Sequence, residues 1–294
     1  MDTKTLLKLT HKKYRRELGI CIIEGEKIVR EHAARAKAIF LREQSSPPVW
    51  RGGTPAGCDG VVREMVIPTK LFDSISSLET THGTQGILAV VPIPKPTEIT
   101  FPYLVLDGIQ DPGNMGTLLR TAAAFGFNTV FAINSADVWS QKVLRAGVGT
   151  QFSLNIYELN HDEFMKVFET QLKDSTLHVA DVNHPVTASP CHPSKEGSES
   201  LSANYKKVLG KNEKETNSPL WRGGTAVGSD GVVSGECEKH GSSSFGLALG
   251  SEGQGISPQI KSLPHKVVTI PIKNAAESLN VAVAGGIIMH GWTQ

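Results

Sequence analysis

The stretch YLVLDGIQDPGNMGTLLRTAAAFGF, residues 103–127, decides the fold. An apolar run from Tyr103 to Leu106 ends in Asp107-Gly108, and a turn follows with Asp111, Pro112, Gly113 and Asn114. A helical pattern comes next, with Leu118, Leu119, Ala122 and Phe125 on one face and Gly126 as its stop. Strand, glycine-bearing loop, helix is the order in which an open α/β sheet presents a ligand site beyond its strand ends. Asn114 and Arg120 are polar groups on the rim of such a site. Taken alone, the stretch favours an N-cap asparagine and a surface arginine, because six helical positions need not bring two side chains together.

Further along, Thr129–Ile133 reads as a strand and residues Gln141–Ala146 as a helix carrying Lys142 and Arg145. A helix over roughly Asp162–Leu172 and a strand at Thr176–Ala180 follow. The pattern then stops. Residues 183–244 are rich in Ser, Gly, Lys, Glu and Asn, a composition that buries too little apolar surface to offset ordering entropy, so a mobile insertion is expected there. Phe245–Leu249 is the next strand and runs into Gly250-Ser251-Glu252-Gly253-Gln254-Gly255. Glycines at that density let backbone approach a ligand closely. The loop has neither a dinucleotide fingerprint nor a following Walker lysine, which leaves a nucleotide-dependent oxidoreductase far behind as a reading. Lys266–Ile270 reads as the last strand, closed by Pro271. Ser278-Leu279-Asn280 then opens a small-residue helix, Val281–His290, suited to close packing within the sheet layer or across a dimer.

Upstream, residues 4–18 predict one basic amphipathic helix whose Lys12, Lys13, Arg15 and Arg16 form the densest cationic patch. Such a run is either a solvated face or a phosphate-contacting one. Strands at Cys21–Ile23, Ala38–Leu41, Val61–Ile67 and Gly86–Val91 alternate with helices at Lys27–Arg35 and Thr69–Ser76. Pro92, Pro94 and Pro96 mark a stiff linker. The expected organisation is a small α/β domain over 1–91, a linker over 92–102, and a larger α/β domain over 103–294. The peptide Trp50-Arg51-Gly52-Gly53-Thr54 recurs as Trp221-Arg222-Gly223-Gly224-Thr225, too few copies for a solenoid.

Composition narrows the class. The chain of 294 residues is 39% hydrophobic and 20% charged, as soluble globular proteins are, and its net charge of +1 leaves any nucleic-acid contact to local patches. Four cysteines, Cys21, Cys58, Cys191 and Cys237, lack disulfide-scaffold spacing, which fits a reducing compartment. The apolar run Leu279–Met289 is too short to span a bilayer, and no secretory signal is evident, so an intracellular location is expected, in cytoplasm, mitochondrion or chloroplast. Only Cys237 and His240 approach metal-ligand spacing, so no metal site is expected.

Three strand-to-loop junctions carry a resemblance: Asn114-x-Gly116-x-x-x-Arg120, Gly250-Ser251-Glu252-Gly253, and Ile270-Pro271-Ile272 with Ser278-Leu279-Asn280. In this order they resemble the three motifs of the SpoU (TrmH) family of RNA 2′-O-ribose methyltransferases, in the SPOUT superfamily. Tyr14–Val29 and Thr81–Val91 resemble the family's N-terminal substrate-binding domain, which is similar to a ribosomal-protein-type α/β RNA binder. The resemblance implies a parallel-sheet C-terminal domain with a trefoil knot, and S-adenosylmethionine as methyl donor. It also implies a homodimer, away from membranes, with rRNA or tRNA as substrate. By the same resemblance Arg120, Asn114, Glu252, Ser278 and Asn280 carry catalysis. Leu249, Gly250, Gly253, Ile270, Ile272 and Leu279 would hold the cofactor. The expected RNA contacts are the cationic patch of Lys12, Lys13, Arg15 and Arg16, with Lys142 and Arg145. The competing expectation is a non-catalytic RNA-binding protein on the same fold.

Overall fold

The computed structural model describes residues 2–43, 63–76, 86–180, 244–251, 253–270, 272 and 278–293. The insertion expected at 183–244, both copies of the Trp-Arg-Gly-Gly-Thr peptide, and Cys58, Cys191 and Cys237 thus fall almost entirely outside the described residues, as does Glu252.

The basic N-terminal segment is two helices, α1 (Thr3–Lys8) and α2 (Lys12–Leu18), not one. Leu6 and Leu9 are both driven into the core, and the chain turns at Thr10-His11 to keep Leu9 there. Next come β1 (Ile20–Glu24), α3 (Glu26–His32), β2 (Ala38–Arg42), β3 (Arg63–Ile67), α4 (Thr69–Ile75) and β4 (Ile87–Pro92). These strands form a mixed sheet in the order β1-β4-β2-β3. Every residue of β1 is buried, as is β4 up to Val91, so both read as apolar runs rather than alternating ones.

The second sheet contains β5 (Tyr103–Asp107), β6 (Thr129–Ile133), β7 (Asn155–Leu159), β8 (Thr176–Ala180), β9 (Phe245–Gly250) and β10 (His265–Val268). Its order is β10-β8-β9-β5-β6-β7, and every adjacent pair is parallel. The helices between them are α5 (Pro112–Ala124), α6 (Gln141–Ala146), α7 (His161–Val167), α8 (Pro258–Lys261) and α9 (Val281–Trp292). From β5 the chain moves to β6 and β7 on one side, whereas from β9 it moves to β10 on the other. The carboxyl ends of β5 and β9 therefore flank a switch point, where open parallel sheets place their ligands.

Two elements depart from the expectations above. The strand β7 and the short helix α8 carry no strong apolar periodicity and were not expected. In β7 only Ile156 is fully buried, because the strand is an edge covered by the chain after β4. There Asn155 Nδ2 donates to the Glu98 carbonyl at 2.8 Å, and the Thr97 N–H donates back to Asn155 Oδ1 at 2.8 Å. The proline-spaced segment thus blunts a free edge.

A single apolar cluster runs through both sheets, from Cys21, Ile23 and Val29 to Val143, Leu144 and Phe152. Burial pushes the Cys21 thiol far above the usual range, which leaves it unreactive. Arg15 seals the seam: it is 6% exposed, donates from Nε to Asp137 Oδ2 at 3.1 Å and reaches the Leu9 carbonyl through Nη1. Three of its five N–H groups are thereby used inside the protein, and a guanidinium so enclosed is poorly placed for the RNA contact expected of it. Lys12 and Arg16 share Glu158 on β7, at 3.3 and 3.2 Å, with side chains 39% and 54% exposed, and Lys13 is exposed. Lys142 lies exposed on α6, and Arg145 is half-buried.

Candidate active site

Helix α5 starts where the β5 loop turns. Asp111, not Asn114, is the N-cap: its carboxylate accepts the Asn114 N–H at 2.7 Å, and Pro112 fits the first helical position, where no N–H is needed. The Asn114 side chain is therefore not the cap. Gly116 serves packing, because a Cβ there would lie 2.5 Å from Ala146 Cβ and 2.8 Å from the Val143 carbonyl. The α5–α6 crossing admits only glycine.

Helix α9 runs alongside α5 in the same direction. Asn280 caps it, with Oδ1 accepting from the N–H groups of Ala282 and Val283 at 2.9 and 3.3 Å. The other half of that amide donates from Nδ2 to Asn114 Oδ1 at 2.9 Å. Lower down, a Cβ on Gly285 would press on Leu118 and Leu249, and Phe125 meets His290 edge to face. The first and third motifs, 166 residues apart, are thus joined by one hydrogen bond between exposed or half-buried amides.

The glycine-rich second motif folds back on itself. Gly255 N–H donates to the Ser251 carbonyl at 2.8 Å, and a Cβ on Gly250 would sit 2.2 Å from the Gly255 carbonyl carbon. No side chain larger than hydrogen permits this turn. Leu249 is 1% exposed and belongs to the core, beneath the loop rather than lining it.

Two cavities flank the Asn114–Asn280 pair. One is a narrow apolar cleft of about 20 Å³ lined by Ala180, Val268, Ile270, Ile272, Leu279 and Ile288 among others. The other, of about 800 Å³, carries many polar side chains and lies beyond the ends of β5 and β9, where Asn114, Ser251, Gly253 and Val281 line it. Leu279 faces the cleft and Val281 the cavity, so Asn280 stands between them. Of the expected cofactor residues, Ile270, Ile272 and Leu279 come together in the cleft, Gly253 lines the larger cavity, and Gly250 forms the turn. Apolar walls beside a glycine turn suit an adenine ring, whose faces want apolar contact and whose edge wants backbone groups. The cleft has to widen to admit one.

Arg120 is exposed on α5, lines neither cavity and has no ion-pair partner among the described residues. Ser278 is exposed just before the α9 cap. Sequence reasoning missed a third constellation, Asp107, Asn134 and His161. Asp107 is 3% exposed at the end of β5; its Oδ1 pairs with His161 Nε2 at 2.9 Å, and its Oδ2 accepts the Ser257 N–H at 2.7 Å. An acid closing an apolar strand is a rim signal, but nothing local announces His161. Among the described residues no group of three or more His, Cys, Asp or Glu side chains could hold a metal, and no helix is long and apolar enough to cross a membrane.

Comparison with known proteins matches residues 102–196 and 199–290 to the family model described as the SpoU rRNA Methylase family. The chain is 26% identical, over 96% of its length and 92% of the relative's, to the 23S rRNA (guanosine(2553)-2′-O)-methyltransferase RlmP of Bacillus subtilis. A solved structure from Porphyromonas gingivalis, assigned to the TrmH family of RNA methyltransferases, is 27% identical with a TM-score of 0.65, covering 99% of this chain and 96% of that one. The AdoMet-bound rRNA methyltransferase of Sinorhizobium meliloti shares the fold at 20% identity and a TM-score of 0.66, over 98% and 92% of the two chains.

Proposed function

The chain belongs to the SpoU rRNA methylase family, and from that membership we propose that it transfers a methyl group from S-adenosylmethionine to a ribose 2′-hydroxyl of RNA, with rRNA ahead of tRNA as substrate. The observation that carries this reading is the Asn280–Asn114 hydrogen bond, which stands between an apolar cleft fit for the donor and a larger cavity open to the acceptor.

S-adenosylmethionine, when bound, supplies an electrophilic sulfonium methyl. The chain's own residues then have three tasks. Ile270, Ile272 and Leu279 hold the adenine through apolar contact, with the Gly250 turn bringing backbone close. Asn114 and Asn280, already fixed by each other and by two helix starts, orient the ribose without further ordering at the moment of attack. Ser278 and Glu252 are assigned to ribose and phosphate positioning by their motif places. Arg120 is effectively always protonated, so it acts better as a clamp on phosphate and a stabiliser of the developing alkoxide than as the base itself.

Two finer features belong to the same proposal. One is the C-terminal trefoil knot that the family resemblance implies, for which the packing of α9 on α5 is the supporting observation. A homodimer would cover Val283 and Ile287, 53% and 42% exposed on α9, and would bring the exposed face of α5 with Arg120 against the partner's site. Lys12, Lys13, Arg16, Lys142 and Arg145 are the better-placed RNA-contact candidates, with the enclosed Arg15 behind them.

The test is incubation with methyl-labelled S-adenosylmethionine and separate rRNA and tRNA pools, followed by mapping of 2′-O-methyl marks. A mark in one pool is expected, with Arg120→Ala abolishing it while cofactor binding survives. No mark in either pool, despite measured cofactor binding, would favour an RNA-binding protein without activity.

A further inference from the structure

The 800 Å³ cavity beyond β5 and β9 is larger than placing a ribose requires, and its lining has a chemistry of its own. Asp107 is committed at both oxygens, to His161 and to the Ser257 N–H. With Nε2 of His161 placed on that carboxylate, Nδ1 faces the Asn134 amide, whose Nδ2 lies 2.9 Å from it. Gln110 Nε2 donates to the Asn134 carbonyl at 2.7 Å. Asn134 itself sits at φ +45°, a left-handed conformation that asparagine tolerates better than most residues. A buried acid, an imidazole and a side-chain amide thus form a chain whose last member is locked in orientation.

The locked amide keeps its oxygen and one N–H uncommitted among the described residues, side by side and on the cavity wall. An adjacent acceptor and donor in one plane is the complement of a nucleobase edge. Charge points the same way. The described lining contains Asp107 and Asp111 and neither lysine nor arginine, so an anionic phosphate is disfavoured there and a neutral heterocycle is not.

We propose that this cavity receives the base of the target nucleotide, unstacked from its RNA, with Asn134 reading its edge and His161 and Asp107 holding Asn134 in place. This rests on the methyltransferase reading above and deepens it. Because Asn114 lines the same cavity and contacts Asn280, a base seated there leaves its own ribose at the junction with the donor cleft. The enzyme would then act on unpaired or extrudable nucleotides, as enzymes that must reach a buried target do. Asn134 is a binding residue here, and His161 and Asp107 are positioning residues.

The experiment follows the ring signals of His161 by NMR in the full-length protein saturated with S-adenosylhomocysteine, which blocks the donor cleft. The four ribonucleoside 5′-monophosphates are titrated in turn, and the His161 signal is assigned by its loss in His161→Gln. The expected result is that at least one nucleotide shifts that signal with a Kd on the order of 1 mM. Asn134→Asp should weaken the binding about tenfold, the effect of one lost hydrogen bond at a recognition edge, and Gln110→Ala should weaken it too by removing the prop on the Asn134 main-chain carbonyl. S-adenosylhomocysteine affinity should not change. Absence of any shift from all four nucleotides, or binding unaltered in both variants, overturns the base pocket while leaving the methyltransferase reading intact. Failure of S-adenosylhomocysteine to bind at all would instead strike that reading.

Discussion

Two of the places where charged groups are taken out of water among the described residues are finished differently. At the seam between the sheets, Arg15 and Asp137 use their hydrogen-bonding capacity on each other and on the Leu9 carbonyl, with side chains only 7% and 12% exposed. At the rim of the parallel sheet, Asp107 is equally buried, but its chain of partners runs through His161 to an amide at a cavity wall. A closed network fixes one part of the chain against another. One that ends at open space with a group still to be paired is organised for something that arrives from outside. On the proposal above the seam is structural and the rim functional, and the difference lies in where the last hydrogen bond goes.

The contrast is broken most sharply at the glycine turn on the rim. Gly250→Ala forces a methyl within 2.2 Å of backbone carbon, so the loop over the switch point cannot close. Cofactor affinity is expected to fall by about a hundredfold or more in calorimetric titration, while the core, which the loop only borders, keeps its thermal transition near that of the native chain. At the seam the opposite pattern is expected. Asp137→Ala leaves Arg15 buried and unpaired, which destabilises by about 3–5 kcal/mol; urea unfolding should show it, with cofactor affinity per folded molecule unchanged. Adding Arg15→Met to that variant should recover much of the loss, because the stranded charge is then gone. Gly116→Ala, pressing on Ala146 and Val143, is a milder overpacking of about 1–3 kcal/mol.

The smallest effect is one of pH. His32 lies in the seam against Phe152, with ring centroids 4.4 Å apart, and burial, then the nearby Arg35, lowers its pKa from the usual 6.5. A lowered folded-state pKa means the unfolded chain binds the proton more readily. The contribution to stability is therefore fully present above pH 6.5 and is lost as pH falls through the folded value. The urea midpoint should hold steady above that pH and decline below it, and His32→Asn should reduce the slope.

Much of this was legible in the chain, for reasons that can be stated. The strands β5, β6 and β9 are buried over their whole apolar runs, so their sequences announce them. The edge strand β7 has one fully buried residue of five and depends on the Thr97–Glu98 segment for cover, so its sequence looks like a loop. Arg15 sits in a run of cations and resembles its neighbours; only Asp137, 122 residues away, makes it structural. Asn114 and Asn280 could be singled out from their motifs. That they touch, and that Asp111 rather than Asn114 caps α5, are facts of tertiary geometry. His161 lies inside a well-formed capping box, between Asn160 and Glu163, which accounts for a helix start and conceals the contact with Asp107.

The central claim is that the Asn114–Asn280 pair aligns the acceptor ribose between two cavities and leaves donor binding to the cleft. It is tested most directly by measuring S-adenosylmethionine affinity and single-turnover methylation of the modified RNA pool side by side for Asn114→Ala. The account predicts affinity within about threefold of the native protein and a methylation rate lower by about a hundredfold. A native methylation rate, or a rate that falls only in proportion to lost cofactor affinity, would contradict it.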